Sequence, residues 1–448
     1  MALPPVLPGS THTEESPIDR ALSLSLAEER EAALRWAAAL VRHDPSMPTA
    51  LCLSGRLLGE LGRQEAGREA CVVALERAVD LENLPLAVAA ARELDRFGGD
   101  AAPHLDQIAA SFCKGSPRLG AGALPPPPLP TAEAFQPLHA VLTGALLINK
   151  ATEIVHEAKR RLDAEVTRPG ITPLPFFSAL SQGALRALSG ALRPMWVPRG
   201  TRVLEQGAVG DEAYFVARGE LEARRERDDG SILLARLTNG ALFGETALLA
   251  RAPRTGSVVA TRPSIVLEVK RDALDALIDV HPEVGMELAA HCRDRMIESL
   301  ARMCKVLQVV PNAELPALVK RFETLTFEKG ERLLVQGERP PGLFLIASGE
   351  VAVVRRDAEG GEPLVLSALG PGDVAADVAL VLRRRVTADV IATHPTVTLY
   401  LPAEQLMGLV HDHPAALAQL YALAVQRDEE TRRIMEAEVS VAEDFILL

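Results

Sequence analysis

Between Gly240 and Ser257 the chain reads Ala241-Leu-Phe-Gly-Glu-Thr-Ala-Leu-Leu-Ala-Arg-Ala-Pro-Arg-Thr-Gly-Ser257, and these residue types suit the capture of an anion. Gly244 lets backbone approach a ligand closely. The run Glu245-Thr246-Ala247-Leu248 can wind into a short helical turn whose free N–H groups face outward, a natural seat for negative charge. Arg254, nine residues beyond Glu245, can fold back and set a planar guanidinium on the same anion. The Glu245 carboxylate can accept from a sugar hydroxyl.

The flanking chain must hold that segment still. From Pro173 onward short β-rich runs alternate with glycines, the texture of a small barrel or jelly roll. The pattern is a repeat: Gly200, Gly207 and Gly219 return as Gly330, Gly337 and Gly349, each 130 residues later. After the next hairpin the offset becomes 132, pairing Gly240 with Gly372, Ala247-Leu248 with Ala379-Leu380, and His281-Pro282 with His413-Pro414. The two added residues fall around Gly360-Gly361, where a β-turn loop tolerates insertion. Glycines at such fixed spacing serve turns that need positive φ.

The segment 241–257 resembles the phosphate-binding cassette of the cyclic nucleotide-binding domain family, with Phe243, Gly244, Glu245, Ala247, Leu248, Pro253, Arg254 and Thr255 in the family's order and spacing. The upstream Gly200, Gly207, Gly210-Asp211 and Gly219-Glu220 also fit that family's β-roll, so the likeness spans 173–300. The resemblance implies a fold and a ligand. The fold is α+β: two tandem β-roll (jelly-roll) cyclic nucleotide-binding domains with flanking helices, preceded by an α-helical repeat region. The ligand is cAMP or cGMP. Glu245 is then expected on the ribose 2′-hydroxyl and Arg254 on the cyclic phosphate. Backbone N–H groups from Gly244 through Thr246 to Ala247 complete the cradle, with Phe243, Thr255 and Ser257 around it. In this family a Thr directly after the cassette Arg can bond the amino group of a syn guanine, and Thr255 stands there. Thr246 and Gly256 depart from the family's common residues.

The second copy lacks the charged partner. Applying the 132 offset turns Gly244 into Ala376, Glu245 into Asp377, Arg254 into Val386 and Ser257 into Asp389. Arg385 comes one position early, on the opposite face of a strand. The fold is expected to persist in copy two and its phosphate site to be lost.

Composition divides the rest of the chain. Residues 1–22, rich in Pro, Ser and Thr, suit a disordered tail. Residues 23–113 carry a helical pattern rich in Ala, Leu, Glu and Arg. Within them Gly55, Gly62, Gly67 and Ala74 resemble the small-residue positions of tetratricopeptide repeats. A Pro-rich linker (114–134) contains four consecutive prolines. A helical connector (135–172), with its helix running from Phe135 to Val166, leads into β-roll one (173–300) and β-roll two (301–448). The stretch Pro282–Val306 reads as one unbroken helix joining them.

Composition narrows the function. A net charge of -12 argues against non-specific grip on nucleic acid. Five cysteines, none in a C-x-x-C pair, suit a reducing cytoplasm. No apolar run reaches the roughly 20 residues of a membrane span, which excludes a channel. No hydrolase, zinc-protease or Walker motif is present, so no enzyme, metal or further cofactor is expected. His411 and His413 belong to the repeated helix boundary. Asp163 after Arg160-Arg161 lacks the small residue of a kinase-inhibitory segment, although the tandem layout is similar to that of kinase regulatory subunits. Only 47 residues follow Leu401, and they are acidic, which disfavours a DNA-binding helix-turn-helix. The expected function is a cytoplasmic, non-catalytic cyclic nucleotide sensor that couples ligand binding to a protein partner through the helical repeats or domain 2. The alternative is a ligand-independent scaffold.

Overall fold

The computed structural model describes residues 15–120, 135–164, 170–227, 230–245, 253–311, 313–314, 317–318, 320–356 and 363–446. Among the described residues six helices come first: α1 (Pro17–Leu26), α2 (Arg30–His43), α3 (Pro48–Glu60), α4 (Gln64–Asp80), α5 (Leu84–Arg96) and α6 (Ala102–Phe112). The expected tail at 1–22 needs correction from residue 17 on. There Ser16 caps a helix by accepting from the Asp19 N–H, and Pro17 sits at the helix start, where its fixed φ suits. Helices α3 and α4 lie very close. A Cβ on Gly55 would come within 2.6 Å of Cys71 Sγ, and one on Gly67 within 2.8 Å of the Gly55 carbonyl. All five cysteines are buried free thiols.

The connector helix α7 spans Gly144–Asp163, not 135–166. Residues 135–143 instead dock on α2 as irregular chain: Phe135 stacks on Trp36, and the Leu138 N–H donates to the Arg35 carbonyl. The four-proline run at 125–128 lies outside the described residues.

Each β-roll is a pair of four-stranded antiparallel sheets. In copy one, β1 (Arg193–Val197), β3 (Glu212–Arg218), β6 (Leu242–Phe243) and β8 (Ser264–Lys270) form the order β1-β8-β3-β6. β2 (Arg202–Leu204), β4 (Leu221–Arg227), β5 (Gly230–Leu237) and β7 (Ser257–Ala260) form β2-β7-β4-β5. Copy two repeats both. β9 (Glu323–Phe327), β11 (Gly342–Ser348), β14 (Val374–Ala375) and β16 (Thr396–Pro402) match the first sheet. β10 (Arg332–Leu334), β12 (Val351–Arg355), β13 (Leu364–Leu369) and β15 (Asp389–Ala392) match the second. Strand starts shift by 130 through β12 and by 132 from β14 onward, so the expected insertion lies between β12 and β14; Gly360-Gly361 itself is outside the described residues.

Strand β3 is buried along almost its whole length, and the period-two geometry of a strand explains how. Ala213, Phe215 and Ala217 face a core shared with the helical region, while Tyr214 and Val216 face the inside of the roll. In β11 the same division recurs: Leu343, Leu345 and Ala347 point one way, Phe344 and Ile346 the other.

The helical region is therefore welded to β-roll one. Asp19 forms a buried ion pair with Arg218 at 2.5 Å and a second with Arg262. The Asn83 side-chain amide donates to the Ala217 carbonyl at 2.9 Å, and Trp196 Nε1 donates to Glu93 Oε1 at 3.0 Å. Arg92 reaches the carbonyls of Ser189, Gly190 and Leu192.

Helix α8 (Gln182–Ala191) leads into β1; after β8 come α9 (Arg271–Val280) and α10 (Pro282–Met303), then in copy two α11 (Asp377–Val381), α12 (Ala403–Asp412) and α13 (Pro414–Ile446). Helix α10 ends at Met303, three residues short of the expected end, because Cys304 turns extended (φ -84, ψ 115) and the chain follows with turns. Among the described residues no helix is long and apolar enough to cross a membrane.

Candidate functional site

Arg254 is pinned through its backbone before its side chain does anything. Its N–H donates to the Ala208 carbonyl, and its own carbonyl accepts from Gly207, both at 2.9 Å. The guanidinium is buried. Nη1 donates to the Gly244 carbonyl at 2.6 Å, and Nη2 donates to the Glu212 carbonyl at 2.8 Å and to Glu212 Oε1 at 2.9 Å. Two glycines make room for it. Gly244 has φ +81, and a Cβ there would lie 3.0 Å from Nη1; a Cβ on Gly210 would lie 2.5 Å from Nη2. The carboxylate facing Arg254 is thus Glu212, at the start of β3, a residue the sequence pattern left unmarked. Only its neighbours Gly210-Asp211 had pointed there.

The cassette residues meet at one cavity of about 100 Å³, whose wall includes Phe243, Gly244, Glu245, Arg254 and Thr255. Phe243, in β6, stacks on Tyr214 with ring centres 5.2 Å apart. Glu245 is buried beside it. Ser257 starts β7 and has a structural duty, its hydroxyl oxygen accepting from the Gln206 N–H at 3.1 Å. Thr246 and Ala247 lie outside the described residues. Two further walls come from elsewhere in the chain: Met296 and Met303 of α10, and Ala347 of β11 in copy two. The helix after the roll thus covers the pocket, and the second roll closes its edge. Small-molecule sites commonly run from roughly 300 Å³ upward, so this pocket is small.

Copy two shows what the substitutions do. Val386 takes the backbone place of Arg254: its N–H donates to Glu338 at 2.9 Å, and its carbonyl accepts from Gly337 at 2.8 Å. Its side chain is buried and apolar, whereas Arg385 points away to the Gly337 carbonyl. Ala376 keeps the left-handed backbone of Gly244, at φ +74. Asp389 takes over the duty of Ser257, accepting from the Gln336 N–H at 2.7 Å, and Arg356 and Arg332 balance its charge. The carboxylate at 389 is thus paired with two arginines, and Val386 removes the phosphate partner. Asp377 occupies the place of Glu245, and Arg427 of α13 donates to its Oδ1 at 3.0 Å. No local motif marks Arg427, which lies 50 residues away. Burial pushes the Asp377 carboxyl above its ordinary 3.8, with Arg427 pulling the other way.

Among the described residues no group of His, Cys, Asp and Glu could hold a metal ion. His413 instead faces Glu314 at 3.5 Å.

Comparison with known proteins agrees with this arrangement. Residues 194–281 and 324–413 match the family model of the cyclic nucleotide-binding domain. A cGMP-dependent protein kinase of Caenorhabditis elegans is 25% identical over 265 residues, which is 59% of this chain and 32% of the kinase. The chain thus spans about a third of that curated relative. Among solved structures, the regulatory domain of Toxoplasma gondii protein kinase A with cAMP is 22% identical, covering 56% of this chain and 92% of that one (TM-score 0.28). The catabolite activator protein of Thermus thermophilus is 29% identical over 33% of this chain and 65% of its own (TM-score 0.27). This chain carries two tandem members of the cyclic nucleotide-binding domain family, with a helical region fused to the first.

Proposed function

We propose that the chain is a non-catalytic cytoplasmic sensor in which β-roll one binds cAMP or cGMP and passes the event to a protein partner. The observation that carries this reading is the buried Arg254 guanidinium at the cavity wall, held by Gly244 and Glu212 in a cradle cleared by two glycines. A planar, permanently charged fork in a preformed socket suits a phosphate. On binding, the phosphate takes guanidinium donors now serving Glu212, and Glu245 takes a ribose hydroxyl. Because Met296 and Met303 roof the cavity, entry of a nucleotide displaces α10. That helix leads straight into the core of copy two, where Leu300, Met303, Cys304 and Val306 are buried together.

A second reading, a ligand-independent scaffold, is favoured by the small cavity and by the ion pair of Arg254 with Glu212, which occupies guanidinium donors. Calorimetric titration of the purified chain with cAMP and with cGMP separates the two. Saturable binding of either supports the sensor, and absence of binding to both establishes the scaffold.

A further inference from the structure

We propose that a cavity between helix α5 and strand β1, lined by Arg92 and Arg193, binds the dianionic phosphate of a phosphomonoester. The cavity has a volume of about 370 Å³, a size that small molecules occupy. It lies on the seam where the helical region meets β-roll one, and it shares no lining residue with the cassette pocket. Four arginines line it, Arg56, Arg92, Arg96 and Arg193, against two carboxylates, Glu93 and Asp95. Four less two leaves a formal excess of two positive charges, on a chain whose net charge is -12.

Two of the arginines are already matched. The Glu93 carboxylate, almost entirely buried, accepts from Arg56 and from Arg96, each at 3.3 Å. The other two are not matched. Neither Arg92 nor Arg193 forms an ion pair among the described residues. Arg92 uses Nε and Nη2 on neutral carbonyls at the end of α8: Leu192 and Ser189 at 3.2 Å, and Gly190. Those bonds fix the plane of its guanidinium and leave Nη1 available. Burial and the like charge of Arg193 both push the Arg92 guanidinium below its ordinary value, with Asp95 pulling the other way. Asp95 is exposed, so solvent and salt screen its charge. An anion between the two guanidiniums relieves their repulsion. A dianion balances the excess of two, and the planar fork of arginine matches phosphate geometry. A monoester reaches that charge near neutral pH because its second proton leaves at about pH 6, whereas a diester has no second proton to lose.

Calorimetric titration of the full chain in low salt tests this site. Phenyl phosphate is expected to bind at one saturable site, and phenylsulfonate, a monoanion of similar shape, about tenfold more weakly or worse. Phenyl phosphate should bind more tightly as pH rises through about 6, where the phosphate titrates and arginine does not. Arg193→Gln should weaken it by about tenfold or more. The Arg193 side chain holds no partner among the described residues, so the melting temperature without ligand should not move. Arg193→Lys, which keeps the charge and loses the fork, should fall between. A phosphoserine peptide that binds more tightly than phenyl phosphate assigns the phosphate to a protein partner, and one that binds more weakly assigns it to a free phosphomonoester. No saturable binding of phenyl phosphate at millimolar concentration overturns the proposal. So does equal affinity for phenylsulfonate, unchanged affinity in either Arg193 variant, or displacement by cAMP, which would place the phosphate in copy one. The two Arg193 variants read this cavity whether or not copy one binds a cyclic nucleotide.

Discussion

Arg254 and Val386 occupy the same backbone position in two copies of one fold, and their neighbours differ accordingly. Gly244 leaves space for a guanidinium, whereas Ala376 adopts the same left-handed backbone beside a valine. Removing one partner of a buried, hydrogen-bonded charge pair costs about 2–5 kcal/mol. Arg254→Ala is therefore expected to weaken cyclic nucleotide binding by about tenfold or more by calorimetry; equal affinity would remove Arg254 from the site. Gly244→Ala should cost about 1–2 kcal/mol of backbone strain and crowd Nη1, lowering both affinity and melting temperature. Thr255 lines the cavity, so Thr255→Ala is expected to shift the cGMP-to-cAMP affinity ratio toward cAMP. A ratio that stays put would mean the hydroxyl plays no part in base choice. Most of the cassette was legible in the sequence because local spacing places it. Glu212 was not, since its contact with Arg254 spans 42 residues and depends on how β3 passes the cassette.

At the level of elements, α10 and α13 have the same job in the two copies, each lying over its own roll. Glycine spacing and the repeat offset revealed the strands, and the His-Pro pairs revealed the helix starts, because these are local signals. The end of α10 was not legible: no Pro or Gly marks Cys304, and burial of Met303, Cys304 and Val306 against copy two bends the chain there. A ligand moves such a helix only by binding one of its positions better, and a full switch between states needs about 5.5 kcal/mol of preference. Hydrogen exchange across 282–306 is expected to change on saturation with cyclic nucleotide. Tight binding with unaltered exchange there would rule out α10 as the route of the signal.

Across the whole molecule, the helical region and β-roll one share a single core, pinned by Asp19 between Arg218 and Arg262. Burial raises the Asp19 carboxyl, but Arg218, Ser16 and Arg262 outweigh it and hold the group below its ordinary 3.8. With a depressed folded pKa, the stability it contributes is present above that ordinary value and is lost as pH falls through the folded one. Acid titration of the chain should therefore loosen the helical region below about pH 4, read by tryptophan fluorescence from Trp36 and Trp196. Asp19→Asn should remove that component. Stoichiometry is the other molecular property: one cyclic nucleotide per chain is expected, and two equivalent cyclic nucleotides would contradict the role given to Val386. The sequence by itself determined the two β-rolls, the position of the cassette and the loss of Arg254's counterpart, because glycine turns, strand alternation and cassette spacing are properties of short windows. Only the tertiary structure decided that Glu212 faces Arg254, that Arg427 reaches Asp377 and that the helical region is fused to β3. Those pairings join residues far apart along the chain, and burial between packed elements, which no short window contains, selects them.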